Sequence, residues 1–140
     1  MTIWETQPDA VMRVTGGSWR GRRLGVPPGR DVRPTSDRVR ESLFSILQHN
    51  DFGRAAGPVL SDGPPCTSHV LDACAGTGAL GIEALSRGAA HALFFDVTNT
   101  ALDCVRENLV LLGAGPRATV RRTDTTTPPP AKPGEACDLV

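Results

Sequence analysis

The order of apolar runs and helix signals predicts an α/β domain built on a parallel, doubly wound sheet. Three observations carry that prediction. Strand-like runs at residues 70–73, 91–95 and 118–123 alternate with helical patterns at 79–86 and 101–112, giving β-α-β-α-β. The run at 91–95 is apolar throughout, as a central strand buried on both faces should be. Asp72, Asp96 and Asp124 stand at the three strand ends, which in an open parallel sheet line one crevice where ligands bind.

Taken in order, residues 11–15 and 20–26 are short extended runs separated by Gly16-Gly17 and read as a small hairpin. Pro27, Pro28, Gly29 and Pro34 then keep the chain irregular. A helix is expected to begin at Thr35 or Ser36, either of which can cap it, with Asp37 in its first turn against the positive end of the dipole. Val39, Leu43, Ile46 and Leu47 fall on one face of that helix and form its expected apolar stripe. Residues 51–67, rich in Gly and Pro, read as a loop. The helix at 79–86 is stopped by Gly88; the one at 101–112 has Asn99 or Thr100 as cap, Leu102, Val105, Leu109 and Leu112 as buried stripe, and Gly113 as stop. The expected division is a basic arm at 1–34 and the start of the α/β domain at 35–140.

A chain of 140 residues with 39% hydrophobic content can build one core. It has no run of 18 apolar residues and no basic-then-apolar leader, so the expected location is the cytoplasm. Cys66, Cys74, Cys104 and Cys137 show no C-x-x-C spacing and suit reduced, mostly packed thiols rather than a metal site or a disulfide framework. Net charge is zero, but residues 11–40 hold Arg13, Arg20, Arg22, Arg23, Arg30, Arg33, Arg38 and Arg40 against Asp31 and Asp37. With Trp19 among them, these arginines suit phosphate contacts and base stacking, which points to nucleic acid.

Residues 68–81 read as a strand entering a glycine loop and then a helix, the arrangement of a nucleotide-type cofactor site. Gly76-Thr77-Gly78-Ala79-Leu80-Gly81 also fits G-x-G-x-x-G, so a dinucleotide and S-adenosyl-L-methionine compete. Asp72 would repel a pyrophosphate and attract a sulfonium, which favours the second. Asp96, twenty residues beyond Gly76, is placed to accept from ribose hydroxyls in either case, and Asp124 from an adenine amine.

Gly16-Gly17-Ser18-Trp19-Arg20-Gly21-Arg22, the block 33–44 from Arg33-Pro34-Thr35 to Leu43-Phe44, and the block 71–88 from Leu71-Asp72-Ala73-Cys74 to Arg87-Gly88 together resemble the bacterial 16S ribosomal RNA guanine-N2 methyltransferases. The resemblance runs from about Met12 to the last residue. It implies a Rossmann-like fold and S-adenosyl-L-methionine as cofactor. Asp72, Ala75, Gly76 and Gly78 would hold the methionine end, Asp96 the ribose and Asp124 the adenine, with Thr77 and Val97 among the cofactor-binding positions. Arg20, Arg22, Arg23, Arg33 and Arg38 would grip 16S ribosomal RNA or an assembly intermediate of the small ribosomal subunit, with neither membrane nor metal.

The chain departs from the family pattern in four places. Cys74 stands where an aromatic is usual, Asp96-Val97-Thr98 where a Glu-x-Asp pair is usual, and the 51–67 loop is longer. The fourth strand would begin at Asp138-Leu139-Val140, ahead of the Asp-Pro-Pro-Tyr motif that binds the guanine amine, so no catalytic residue is assigned. The expectation is an N-terminal portion of such an enzyme with a bared, aggregation-prone sheet edge. A non-catalytic RNA-binding fragment and a dinucleotide-dependent oxidoreductase are the other classes these residues allow.

Overall fold

The computed structural model describes residues 12–27, 35–51, 60 and 67–140. In chain order the elements are β1 (Met12–Arg13), β2 (Arg23–Leu24), α1 (Asp37–His49), β3 (His69–Asp72), α2 (Ala79–Ser86), β4 (His91–Asp96), α3 (Asn99–Leu112) and β5 (Ala118–Arg122). β1 and β2 pair antiparallel as a hairpin, and β3, β4 and β5 form a parallel sheet in that order. This is the β-α-β-α-β half of a Rossmann-like fold. Leu139 adds a parallel bridge to Val70 on the free side of β3, with the Leu71 N–H donating to its carbonyl at 2.8 Å.

β4 is central because both neighbours pair with it, and its Ala92, Leu93, Phe94 and Phe95 are all buried. α2 lies on it so closely that seven of its eight residues are buried. Gly81 makes that approach possible: a Cβ there would enter the van der Waals envelope of the Phe94 ring. Gly81→Ala is therefore expected to cost about 1–3 kcal/mol by overpacking, read as a lower thermal midpoint with unchanged secondary structure. An unaltered midpoint would mean that the Phe94 ring moves aside freely.

α1 starts where expected, with the Ser36 hydroxyl accepting from the Val39 N–H at 3.3 Å. Its buried face is not the expected one. Of the expected stripe only Leu47 is buried; Val39, Leu43 and Ile46 are exposed, and Arg40 and Phe44 turn inward with Leu47. The reason lies in α2, which presents a fully buried carboxylate, Glu83, to α1. Arg40 Nη1 approaches Glu83 at 3.5 Å and also pairs with Asp37, while Arg87 donates to Glu83 at 3.1 Å and lies over the Phe44 ring at 5.4 Å. Turning Arg40 inward gives Glu83 a cationic partner, without which a buried carboxylate costs several kcal/mol.

The hairpin joins the same core through Met12, Val14 and Leu24. Thr15 donates both its N–H and its hydroxyl to Glu83, so one carboxylate ties together the hairpin, α1 and α2. α3 buries Leu102, Val105, Leu109 and Leu112 as its pattern indicates and ends at Gly113 in the left-handed region. Its cap is Thr98, not Asn99 or Thr100, because the Asp96 carboxylate accepts from both the N–H and the hydroxyl of Thr98 and sets it at the helix entrance.

Candidate cofactor crevice and basic hairpin

The three strand ends and the loops that follow them lie side by side. The Thr123 N–H donates to the Asp96 carbonyl at 3.0 Å, and the Cys74 thiol lies 3.7 Å from the Thr125 hydroxyl, which draws the loops after β3, β4 and β5 together. Within the glycine loop, Gly76 has φ +54°, and a Cβ there would point into open space. Gly78 has φ +80°, but its Cβ would meet Val105 at 3.0 Å, so that glycine serves the packing of α3 as well as the turn.

The loop's backbone donors are largely spent inside the chain. Gly76 N–H donates to Asp96 Oδ2 at 3.0 Å, Gly81 N–H to Asp72 Oδ2 at 3.0 Å, and Ala79 N–H to the Thr77 hydroxyl at 3.2 Å. Ala75 N–H donates to the Phe95 carbonyl and Gly78 N–H to the Ala75 carbonyl. The two aspartates thus act as anionic caps on the amides that a phosphate would use. Burial pushes Asp72 up to about 6, moderated by the Gly81 N–H and reinforced by the charge of Asp96. Burial also acts to raise Asp96, but N–H groups of Thr98, Gly76 and Val97 and the Thr98 hydroxyl outweigh it and hold that carboxyl below its ordinary value. Asp124 lies two residues beyond β5, exposed, with its Oδ1 accepting from the Thr126 N–H and hydroxyl, which lower it. Val97 is exposed beside Asp96.

This donor set fits a cation-bearing cofactor. Two carboxylates face a loop with few free N–H groups, an arrangement hostile to a pyrophosphate and favourable to a sulfonium or ammonium. Among the described residues no group of acids, histidines and cysteines could hold a metal, and no helix is long and apolar enough to cross a membrane. Cys104 is buried, with its thiol pushed up to about 12 by burial, Cys137 is half-buried, and Cys74 is exposed at the crevice; Cys66 lies outside the described residues.

The arginines divide by role. Arg20, Arg22, Arg23 and Arg38 are exposed, but Arg22 donates to the Leu111 carbonyl at 2.9 Å, and Arg33 lies outside the described residues. Trp19 is half-buried, its N–H donates to the Ser86 hydroxyl at 3.0 Å, and the Arg117 guanidinium lies 5.6 Å from its ring, so it is engaged in packing. A cleft of about 790 Å³ lies between the hairpin turn and the far ends of α1 and α2; it is lined by Arg20 but by none of the candidate cofactor residues.

Sequence periodicity does not single out Glu83, Arg40 or Asn108 as organising residues. Asn108, fully buried on α3, accepts from the Gly25 N–H at 2.7 Å and donates to the carbonyls of Gly25 and Thr77, fastening the hairpin to the glycine loop. The available signal was a lone charge or amide inside an otherwise apolar helical face.

A family model described as conserved hypothetical protein 95 matches residues 12–140. The chain is 43% identical over 104 residues to the ribosomal RNA small subunit methyltransferase D of Escherichia coli K12, covering 74% of this chain and 46% of that protein. It is 41% identical over 113 residues to an rRNA methyltransferase homologue of Bacillus subtilis 168, covering 81% and 54%. The chain therefore spans about half the length of these relatives. Among solved structures, one from Escherichia coli named as a methyltransferase superposes with a TM-score of 0.64 at 39% identity, covering 83% of this chain and 54% of that one. A hypothetical protein of Thermus thermophilus gives 0.61 at 32%, covering 80% and 55%.

Proposed function

The chain belongs to the conserved hypothetical protein 95 family of bacterial 16S ribosomal RNA methyltransferases, and from that premise we propose that it carries the cofactor and RNA-gripping parts of an S-adenosyl-L-methionine-dependent methyl transfer to the exocyclic N2 of a guanine in 16S ribosomal RNA. The observation that carries the cofactor reading is the capping of the glycine loop by Asp72 and Asp96, which leaves acceptors rather than donors at the strand ends.

When bound, the cofactor supplies an electrophilic methyl group. Asp72, Ala75, Gly76, Thr77 and Gly78 hold its methionine end: the Asp72 carboxylate attracts the positive charge, and Gly76 gives the backbone room for close approach. Thr77 shapes the loop through its hydroxyl, which caps α2, and its carbonyl, which is tied to Asn108. Asp96, already fixed by Gly76 and Thr98, accepts from the ribose hydroxyls with Val97 packed beside them, and Asp124 accepts from the adenine amine. The arm at 1–34, with Arg20, Arg23 and Arg33, and Arg38 at the start of 35–140, contacts RNA phosphates of the small ribosomal subunit or its assembly intermediate in the cytoplasm. Arg22 contributes to the arm as a strut through Leu111. No residue of this chain is assigned to orient the guanine amine.

Titration of S-adenosyl-L-methionine into the chain by calorimetry tests the cofactor reading, with a nicotinamide dinucleotide as comparator. Asp96→Ala is expected to weaken binding by about 10-fold or more, the loss of charge-assisted hydrogen bonds. Asp96→Asn, which keeps an acceptor for Gly76, separates loop collapse from loss of ribose contact. Binding of the dinucleotide in preference would overturn the assignment.

A further inference from the structure

Resting on that RNA reading, the hairpin carries one feature that the scattered arginine count does not reveal. In the β1–β2 register Met12 opposes Leu24, and Arg13 opposes Arg23. Met12 and Leu24 turn inward at 4% and 5% exposure, so strand alternation sends Arg13 and Arg23 out together on the other face, and both are exposed. Directly opposed like charges on one face destabilise a strand pair, and this pair is only two residues long on each side. Among the described residues neither guanidinium has an ion pair or hydrogen bond, so no described acid relieves the repulsion.

The platform beneath them is rigid. Val14 N–H donates to the Arg22 carbonyl at 3.0 Å, Gly21 N–H to the Val14 carbonyl at 2.8 Å, and Asn108 clasps Gly25. Arg22, between Arg23 and the turn, spends its guanidinium on the end of α3. Two unpaired guanidinium groups with forked donors, carried on directly opposed residues of a fixed backbone, suit an anion presenting several oxygens at one place.

We propose that Arg13 and Arg23 form a cross-strand clamp for a phosphodiester of the RNA backbone, with Arg13 a contact residue and Arg22 a positioning residue. Repulsion tolerated in the free hairpin becomes paired attraction around one phosphate. Because Asn108 joins the same hairpin to the carbonyl of Thr77, the clamp sets the register of the RNA relative to the glycine loop.

The test is Arg13→Glu in the full chain. This change puts a carboxylate opposite Arg23, so folding is kept or improved while the clamp is neutralised. Binding of a short RNA stem-loop, followed by fluorescence anisotropy over a range of salt, is expected to weaken about 10-fold or more, and the slope of log affinity against log salt to fall by about two. Arg22→Ala is expected to lower the thermal midpoint and leave the salt slope nearly unchanged. Wild-type RNA binding with an unaltered slope in Arg13→Glu would overturn the clamp and leave the RNA reading standing. Absence of RNA binding by the wild type, or binding to phosphatidylserine vesicles in preference to RNA, would overturn both.

Discussion

Glu83→Ala is expected to remove a large share of the domain's stability. The carboxylate is fully buried and receives Thr15, Arg40 and Arg87 from three segments. Among the described residues, truncation leaves the fully buried Arg40 guanidinium with Asp37 and the Thr35 carbonyl, and loosens Arg87, which retains Gln48 and Thr15. Removing one partner of a buried charge network costs about 3–5 kcal/mol, against a total stability of about 5–15 kcal/mol for an ordinary domain. Far-UV circular dichroism and a urea titration would show the loss as a collapsed midpoint. Glu83→Gln, which keeps one acceptor oxygen without the charge, should fall between. A Glu83→Ala midpoint close to that of the wild type would show that the hairpin, α1 and α2 are held by apolar packing alone.

Asp72→Asn is expected to stabilise the free chain and weaken its cofactor binding. Asp72 ionises near 3.8 in the unfolded chain and at about 6 in the fold, where burial opposes its charge. Below both values it is neutral in either state and costs nothing. As pH rises from about 4 to about 6 the unfolded chain loses this proton first, so stability declines, by roughly 3 kcal/mol once both states are ionised. Asparagine can keep an acceptor for Gly81 and has no charge to desolvate, so the variant should lack this decline and be roughly 2–3 kcal/mol more stable near neutrality. Its affinity for S-adenosyl-L-methionine should fall by about 10-fold or more, through loss of a charge-assisted contact. In the wild type that affinity should rise as pH passes upward through about 6, when the carboxylate becomes available to the cation. Melting curves across this range and calorimetry on both proteins read the two effects. Equal affinities would remove Asp72 from the cofactor site, and parallel pH profiles of stability would mean that its charge is solvated in the fold.

These two residues show how function and stability are distributed. Glu83 spends a buried charge to join segments that are distant in sequence. Asp72 keeps a charge at a cost to the free fold, as residues held ready for a ligand commonly do. The loop between them is short, and α2 begins within it, so a change at either residue is felt through one helix.

Periodicity and turn chemistry alone located the three parallel strands, both helices between them, the glycine loop and the acids at the strand ends. These are local properties: β4 is apolar because it is buried on both faces, and Gly113 ends α3 because it can take a left-handed conformation. The family resemblance was equally legible, since it rests on contiguous blocks. The tertiary structure decided which face of α1 is buried, since the inward turn of Arg40 depends on the position of Glu83 on α2. It also decided which arginines are free. Arg22 and Arg23 are neighbours in sequence, yet one meets the end of α3 and the other faces Arg13 across the hairpin. Charge pairing depends on distances between segments far apart in the chain, and those distances exist only once the sheet and helices have packed.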